Sequence, residues 1–400
     1  MQSSYSFFHK YISTDESLRK QWGQALYFFS LALIVTTSLL EFSTFNEYIS
    51  MHSLNRLTYV PIGIVLCKVF IIDGLNWQIL LQNVFLLGLS ILSMKLASSS
   101  LIVTLVVFVI GARNISFNKI LKVYYTVASI TLLIIMIAAF AGIIANFTFY
   151  RGNIIRHSFG ILYPTDFASH VLSIILAYYC VNYRKLTWVE YIVTIVISYL
   201  LYYFCNSRLT CLTLIIMIFV FLLAKQASLG NRNARVFLSF CWGGIPVLCY
   251  LEVSLSYIYT NSNYLLVKIN HALSNRLSLG RRAIQKYGIS LFGQNVQERG
   301  WGKGIHAATS TSNYFFIDSS YLRFLIIYGV IIGLIVLYWM IKISIDSFRI
   351  QEYGICAAIL IVAISAFVEQ HLFEVSYNPF ILAYFSLIGT PNIYKKKKVS

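Results

Sequence analysis

Residues 209–224 read LTCLTLIIMIFVFLLA, an uncharged and mostly apolar stretch that ends at Lys225. Two more stretches share this character, QALYFFSLALIVTTSLL at 24–40 and VYYTVASITLLIIMIAAFAGII at 123–144. A helix needs about 20 such residues to cross the hydrocarbon core of a bilayer. The whole chain is 58% hydrophobic and 11% charged, whereas roughly a quarter of the residues in soluble domains are charged. A soluble protein is therefore excluded.

Similar stretches recur along the chain and predict about twelve spanning helices. Their expected starts lie near Gln24, Leu57, Ile79, Leu96, Val123, Ile161, Leu186, Leu209, Val236, Tyr321, Gly354 and Tyr377. A β-barrel is excluded, because barrel strands alternate apolar and polar residues and these stretches are apolar on all sides. The prediction is an all-α polytopic membrane protein whose backbone hydrogen bonds close within each helix.

Basic residues are unevenly divided between the two sides if the N-terminus is cytoplasmic. Five fall in the short outer loops: Arg56, Lys95, Arg151, Arg156 and Arg208. Seventeen fall on the inner side: Lys10, Arg19, Lys20, Arg113, Lys119, Lys122, Arg184, Lys185, Lys225, Arg232, Arg235, Lys342, Arg349 and the four lysines 395–398. The positive-inside rule then predicts an N-in/C-in protein of the cytoplasmic membrane. The net charge of +17 reflects this topology and attraction to anionic lipids, so no nucleic-acid partner is expected.

One connection is far longer than the others. The predicted segments are a cytoplasmic N-terminus at 1–23, nine spans in 24–255, an extracytoplasmic loop at 256–320, three spans in 321–390 and a basic cytoplasmic tail at 391–400. A loop of this length is usually functional or disordered. Apolar residues at helical spacing predict an amphipathic helix in its first half: Leu266, Ile269, Leu273, Leu277 and Ile284. Its second half, rich in Gly, Ser, Thr, Asn and aromatic residues, suits turns and contacts with hydroxylated ligands.

Arginines gather on the predicted outer side, in this loop and in the short outer loops. A guanidinium group is a planar fork that matches phosphate and stays charged at physiological pH. We therefore expect an anionic ligand, and the phosphate or pyrophosphate head of a lipid carrier lies at this depth. The alternative is a solvated basic face that meets lipid headgroups.

Several segments together resemble the Wzy-type repeat-unit polymerases of capsular polysaccharide and exopolysaccharide, which belong to the O-antigen polymerase and ligase superfamily. The segments are RHSFGILYPTDFA from Arg156, NSRLT from Asn206, SNRLSLG from Ser274 with YGISLFGQ from Tyr287, IDSSYLRFLIIYG from Ile317 and VEQHLFEVSYNPFIL from Val368. They look most like the polymerases of Gram-positive bacteria. The lipid-linked O-antigen ligases share the same general plan and are the nearest alternative.

The resemblance implies a metal-independent glycosyltransferase without a cofactor, acting on undecaprenyl-pyrophosphate-linked oligosaccharides at the outer face of the membrane. The growing chain would move from its carrier to a hydroxyl of the next repeat unit. A flippase and a chain-length regulator of the same pathway would be its protein partners. The motifs HExxH, DxD, GxGxxG and the P-loop are absent from the sequence, so neither a metal site nor a nucleotide substrate is predicted.

Such a reaction needs stabilisation of the departing pyrophosphate and can use a base for the acceptor hydroxyl. We predict that Arg156, Arg208 and Arg276 contact the pyrophosphate, with Arg282 and Arg323 as further members. Glu369 is the favoured base and His306 a loop candidate, although Glu369 could instead be the counter-ion of an arginine. Substrate contacts are also predicted for His157, Asp318, Tyr321, His371 and Asn378.

Asp166 and His170 share a helix face and are expected to contact each other. A flippase or transporter of lipid-linked oligosaccharide is the alternative outside enzymology, although the two halves of the chain show none of the internal symmetry common in transporters. A passive scaffold of an export complex is a third interpretation. It would explain the helices but not the outer arginines.

Overall fold

The computed structural model describes residues 16–74, 76–300 and 314–388. The predicted loop base His306 and the tail at 391–400 lie outside these ranges. The first part of the chain contains six α-helices: α1 Glu16–Glu41, α2 Met51–Leu57, α3 Tyr59–Cys67, α4 Trp77–Ala97, α5 Leu101–Gly111 and α6 Phe117–Phe140. A π-helical turn, Lys68–Ile72, continues α3. Helix α4 begins where the Asn76 side chain accepts a hydrogen bond from the Ile79 amide at 2.9 Å, as is usual at a helix N-terminus.

A two-stranded antiparallel hairpin follows α6, formed by β1 Thr148–Arg151 and β2 Ile154–His157. The all-α prediction missed this small sheet. Five helices come next: α7 Pro164–Asn182, α8 Trp188–Cys205, α9 Arg208–Ser228, α10 Arg232–Ser239 and α11 Cys241–Ile258. Thr187 and Glu190 form a capping box that starts α8, which satisfies two of the free amides at the helix start.

The long connection after α11 contains two helices, α12 Tyr264–Ala272 and α13 Arg276–Tyr287. The prediction of a single amphipathic helix is therefore wrong in one respect, since the segment forms two helices. Ser274 and Asn275 adopt left-handed backbone conformations and separate them. The chain then forms α14 Ser320–Arg323, a π-helical turn Phe324–Tyr328, α15 Val330–Arg349 and α16 Tyr353–Val368. Gly329, with a φ of 99°, separates the π turn from α15.

Eight helical stretches of the described chain are long and apolar enough to cross a membrane. They are Leu18–Glu41, His52–Ile72, Trp77–Ala97, Phe117–Phe140, Trp188–Cys205, Arg208–Ser228, Cys241–Ile258 and Val330–Arg349. Two shorter apolar helices accompany them, Leu101–Gly111 and Tyr353–Val368. The predicted class, a mostly helical multi-pass membrane protein, is confirmed.

The stretch predicted as the last span, beginning near Tyr377, is not an α-helix. It contains the 3-10 turn Pro379–Tyr384, and residues 376–383 are buried. The Ser376 hydroxyl lies 2.9 Å from that of Ser38 near the end of α1, whereas Leu387 exchanges backbone hydrogen bonds with Ile115 and Phe117 before α6. Non-helical backbone at membrane depth is tolerated where protein covers it. This segment therefore lies inside the bundle and runs along it.

The bundle has two distinct ends. We call one the arginine end, where the hairpin, the start of α9 and the start of α13 meet. Arg151 there donates to Asn206 at 3.2 Å, and Arg276 donates to Val368 at 2.6 Å. The other, the opposite end, holds the connection between α5 and α6 and the start of α1, where Arg19 donates to Ile72.

Candidate functional site

The hairpin brings two arginines to the arginine end. Arg156 is 2% exposed, and its Nε donates to the Cys205 carbonyl at 2.7 Å. Its Nη1 donates to the Tyr163 hydroxyl at 3.3 Å, but its buried Nη2 has no hydrogen-bond partner among the described residues. An unsatisfied buried donor costs free energy, so Arg156 retains capacity to bind an acceptor.

The turn between α8 and α9 supplies the partners of these arginines. Asn206 takes a left-handed conformation with a φ of 48°, which ends α8 and turns the chain into α9. Arg151 donates from Nη1 to the Asn206 carbonyl and to its side-chain oxygen, each at 3.2 Å. Arg208, the first residue of α9, is exposed, and no carboxylate of the described chain forms an ion pair with it.

Arg276 opens α13 and approaches the same turn. Its Nε donates to the Val368 carbonyl at 2.6 Å and its Nη1 to the Leu273 carbonyl at 3.3 Å. Burial lowers the pKa of the Arg276 guanidinium, but Asp318 and Glu369 more than offset this effect, so that the net shift is upward. Arg276 is therefore held in place by backbone carbonyls and attracted by three carboxyl groups, with Asp318 and Glu369 ahead of Glu252.

These four arginines, Arg151, Arg156, Arg208 and Arg276, form what we call the arginine cluster. Burial lowers the pKa of Arg151, and the positive charges of the other three lower it further. Like charges that affect one another in this way repel, and an anion placed among them would relieve the repulsion. The predicted members Arg156, Arg208 and Arg276 are thus brought together.

Two carboxyl groups face the cluster. Burial raises the pKa of Asp318, an effect that Arg276 opposes. Burial also raises the pKa of Glu369 to about 7, with Arg276 and His371 acting in the opposite direction. The Thr210 hydroxyl donates to Glu369 Oε1 at 3.3 Å, which links this carboxyl group to the first turn of α9.

A small pocket lies between the carboxyl groups, and one of its lining residues contacts the cluster. Its lining, which we call the carboxylate pocket, is Tyr163, Thr165, Asp166, Tyr314, Phe316, Asp318, Glu369 and Gln370. Tyr163 is also the residue whose hydroxyl accepts a hydrogen bond from Arg156. Three carboxyl groups and three aromatic rings therefore lie around one space, and Tyr163 connects that space to the arginine cluster. No protein-family model, curated protein or solved structure matches this chain.

Behind the pocket lies a stack of three buried rings. Tyr377 lies between His371, with ring centroids 3.6 Å apart, and His170, at 3.7 Å. His371 Nδ1 is 3.0 Å from Glu374 and its Nε2 is 3.5 Å from Asp166. Burial lowers the pKa of His371, but Glu374 and Asp166 outweigh it and raise the pKa to about 10. His371 is therefore a cation in this network.

The expected contact between Asp166 and His170 is wrong. Both ring nitrogens of His170 lack a hydrogen-bond partner among the described residues, and the carboxylate of Asp166 lies beside His371 instead. The two residues share a helix face, but the segment after α16 supplies each with a different neighbour. His371 lies beside Asp166, and Tyr377 stacks on His170. Asn378, on this segment, donates to the Leu372 carbonyl at 2.7 Å.

Three predicted members do not line the carboxylate pocket, although Arg323 borders it, since its Nη1 donates to the Gln370 side chain at 3.0 Å. Arg323 forms a buried ion pair with Glu298, with two hydrogen bonds of 2.9 Å each. Arg282 lines a different pocket, of about 450 Å³, with Lys286, Arg299 and Phe315. The Tyr321 hydroxyl is fully buried and donates to the Ala363 carbonyl at 2.8 Å, so its contact is internal.

His157 also has a local environment. Its ring lies 6.1 Å from that of Phe159 and 6.4 Å from that of Phe204. His157 is the last residue of β2 and follows Arg156 directly. Its ring contributes to the aromatic packing beneath the hairpin. Among the described residues, no three His, Cys, Asp or Glu side chains are arranged to hold a metal ion.

The structure adds residues to the site that sequence reasoning did not assign to it. Arg151 joins the arginine cluster, Asp166 lines the carboxylate pocket and Glu374 fixes His371. One signal was available for Arg151, since it precedes Arg156 by five residues around Gly152, a residue suited to a hairpin turn. For Glu374, the spacing of three from His371 is helical, but the chain at this point forms a 3-10 turn.

Proposed function

We propose that the protein is a polymerase that joins undecaprenyl-pyrophosphate-linked oligosaccharide repeat units into capsular polysaccharide or exopolysaccharide. It would be a glycosyltransferase that uses neither a metal ion nor a cofactor. The observation that carries the proposal is the buried and partly unsatisfied guanidinium of Arg156, within a cluster of four arginines, beside the pocket of Glu369 and Asp318. A departing pyrophosphate needs cations to stabilise its charge, and an attacking hydroxyl beside it can use a carboxylate as a base.

The arginine cluster is suited to the leaving group. As the bond between the anomeric carbon and the pyrophosphate oxygen breaks, negative charge grows on the undecaprenyl pyrophosphate. Guanidinium groups fixed by backbone carbonyls stabilise such charge without reorganising. Arg156 and Arg276 are fixed in this way, and Arg208 is exposed and can reach toward a lipid headgroup.

Glu369 is suited to the role of general base. The acceptor hydroxyl attacks the anomeric carbon, its proton passes to the Glu369 carboxylate, and the electron pair of the broken bond leaves on the pyrophosphate oxygen. A base works best when its pKa lies near the operating pH, and burial raises that of Glu369 to about 7. Asp318 lines the same pocket, whose volume of about 20 Å³ would have to increase for an acceptor sugar to reach Glu369.

The orientation belongs to the same proposal. We infer an N-in/C-in protein of the cytoplasmic membrane with about twelve crossings, because basic residues concentrate on one side. The arginine end would then be extracytoplasmic, where a flippase delivers the lipid-linked units and a chain-length regulator acts. The segment at 376–387, which is buried as far as Ala383, would supply the last crossing without an α-helix.

The test is the size distribution of lipid-linked and surface glycan. It is measured in a deletion strain, alone and complemented with the wild type, Arg208→Gln or Arg56→Gln. Arg56 is a matched control, because it is exposed and lies on the same predicted side but outside the cluster. Single repeat units should accumulate outside the membrane in the Arg208→Gln cells, whereas the Arg56→Gln cells should form the full ladder. A normal ladder in both variants would remove Arg208 from the proposal.

The two alternatives give different products in cells that lack the protein. Full-length polymer that stays on its lipid carrier would mean a ligase. Repeat units trapped on the cytoplasmic side would mean a flippase. Either result would contradict polymerase activity.

A further inference from the structure

A second basic site lies at the opposite end of the bundle, far from the carboxylate pocket along the chain. The start of α1, the π turn after α3 and the connection between α5 and α6 enclose a pocket of about 200 Å³. Its charged lining consists of Arg19, Lys20, Lys68, Asp73 and Arg113. Four cations and one carboxylate share this space, and we call it the opposite-end pocket.

Lys68 has a structural role in this pocket. It is 1% exposed, and its Nζ donates to Asp73 at 2.7 Å, to the Gly111 carbonyl at 2.7 Å and to the Arg113 carbonyl at 2.9 Å. These bonds use all three N–H donors of the ammonium group and neutralise Asp73. They also tie the connection after α5 to the π turn, which fixes the backbone of Arg113.

Arg19 and Arg113 are the side chains that remain for recognition. Arg19 Nη2 donates to the Ile72 carbonyl at 2.7 Å, which uses one of its five N–H donors. The Arg113 guanidinium lies 4.7 Å from the centroid of the Phe385 ring, a contact that holds its plane but uses none of its N–H donors. Asp73 attracts both arginines, yet it already neutralises Lys68, so positive charge remains in the pocket.

The surroundings of the pocket match the depth of lipid headgroups. Trp22, three residues after Arg19, is 63% exposed, and Trp77, three residues after Gly74, is 71% exposed. Tryptophan is enriched where the membrane meets water. Phe70 and Ile71, in the π turn beside the pocket, are also exposed, as lipid-facing residues are. An acyl chain could therefore run along the π turn while its headgroup enters the pocket.

We infer that the opposite-end pocket binds the phosphodiester headgroup of an anionic glycerophospholipid, such as phosphatidylglycerol. Arg19 and Arg113 would donate to the phosphate oxygens as charge-assisted hydrogen bonds. Basic pockets between helices at a membrane surface recognise anionic headgroups in this manner. The site is independent of the proposed glycosyl transfer, since none of its residues contributes to the arginine cluster.

The experiment is native mass spectrometry of the full chain, delipidated in detergent and titrated with phosphatidylglycerol or phosphatidylcholine. The proteins compared are the wild type, Arg113→Gln, Arg113→Lys, Arg19→Gln and the control Arg232→Gln, which changes an exposed arginine that does not line the pocket. We expect about tenfold weaker binding of phosphatidylglycerol in Arg113→Gln and in Arg19→Gln, because a hydrogen bond to a charged group contributes roughly one decade of affinity. Arg113→Lys should fall between, since lysine keeps the charge but lacks the fork.

The outcomes decide between the sources of phosphate. Loss of phosphatidylglycerol binding in the pocket variants, with the control unchanged and millimolar inorganic phosphate unable to compete, supports the lipid site. Equal affinities in all variants, or equal affinity for phosphatidylcholine, would overturn it. Competition by inorganic phosphate at the same concentration as the lipid would mean a site for small anions. Melting temperatures of every variant, measured beforehand, separate loss of binding from loss of fold.

Discussion

Arg276 and Arg323 are both arginines at the edges of the long connection, and both resemble anion ligands in sequence. Arg323 donates to both oxygens of Glu298, at 2.9 Å each, and its charge is thereby neutralised. Arg276 donates to backbone carbonyls, whereas Asp318 and Glu369, which attract it, have raised pKa values. Positive charge therefore does not identify an anion site by itself. The site is the place where the protein's own carboxyl groups do not fully neutralise that charge.

The largest effect should come from Glu298→Gln, which breaks the buried ion pair. Loss of one partner leaves the Arg323 charge buried and unpaired, at a cost of about 3–5 kcal/mol. We expect a much lower melting temperature in detergent and little folded protein. The double variant Glu298→Gln/Arg323→Met should recover part of this loss, because no unpaired charge remains. An unchanged melting temperature in the single variant would mean that the ion pair with Glu298 contributes little to stability, and the contrast between Arg323 and Arg276 would fail.

Arg276→Gln should mainly affect turnover. Loss of one donor that stabilises developing charge costs about two orders of magnitude in rate, so that polymer should become almost undetectable in a reconstituted assay with lipid-linked repeat units. Arg276→Lys should retain part of the activity. Melting temperatures provide the control, because the contact with Val368 also supports the fold. Wild-type turnover in Arg276→Gln would mean that Arg276, like Arg323, does not act on the anion.

Glu369 should make both the activity and the stability of the protein depend on pH. If it is the base, kcat/KM should rise with pH and level off above about pH 7, where the raised pKa leaves it ionised. The stability of the folded protein should change with pH in the opposite direction. A carboxyl group with a raised pKa in the folded state stabilises the protein fully below its usual pKa of 4.5, and this stabilisation is lost as the pH rises through about 7.

Glu369→Gln separates these two effects. The variant should lose most of its activity at every pH, and its melting temperature should lack the decline that the wild type shows between about pH 4.5 and 7. Activity and stability are both measured across this range. An acidic limb of the rate that persists in the variant would assign the base to another group, with Asp318 the first to test.

Arg282→Gln should have the smallest effect. Arg282 lines the pocket of Lys286 and Arg299 rather than the carboxylate pocket, so that polymer length and yield should stay within about twofold of the wild type. The measurement is the same glycan ladder, with Arg276→Gln beside it. A loss as large as that of Arg276→Gln would mean that the site extends along the whole of α13.

Hydropathy was sufficient for the class of the fold and for most helix positions, because burying apolar side chains in lipid depends on composition alone. It failed after Asn378, where Pro379 to Ala383 are as apolar as a span but form a 3-10 turn inside the bundle. Hydropathy cannot distinguish contact with lipid from contact with other helices. The two-stranded hairpin was missed for a different reason, since strands of four residues carry too little pattern.

The site was predicted less completely than the fold. Arg208 could be selected because an arginine at the start of an apolar span is costly unless it is paired or faces a cavity, whereas Arg156 and Arg276 were selected as outer-side arginines whose planar guanidinium matches phosphate. The sequence could not show that Glu298, 25 residues before Arg323, already neutralises that arginine. Pairing over such separations is a property of the packed chain, and for the same reason Asp166 could not be assigned to His371.

The buried non-helical segment after α16 affects how the protein is made. All the helices that surround this segment precede it in the chain, so they are synthesised first. A stretch that forms short 3-10 turns but no α-helix leaves backbone groups unsatisfied in lipid, so it is stable only after the helices around it have assembled. Tyr377, which stacks between His170 and His371, is part of it. The ring stack behind the carboxylate pocket is therefore completed only in a late step of assembly.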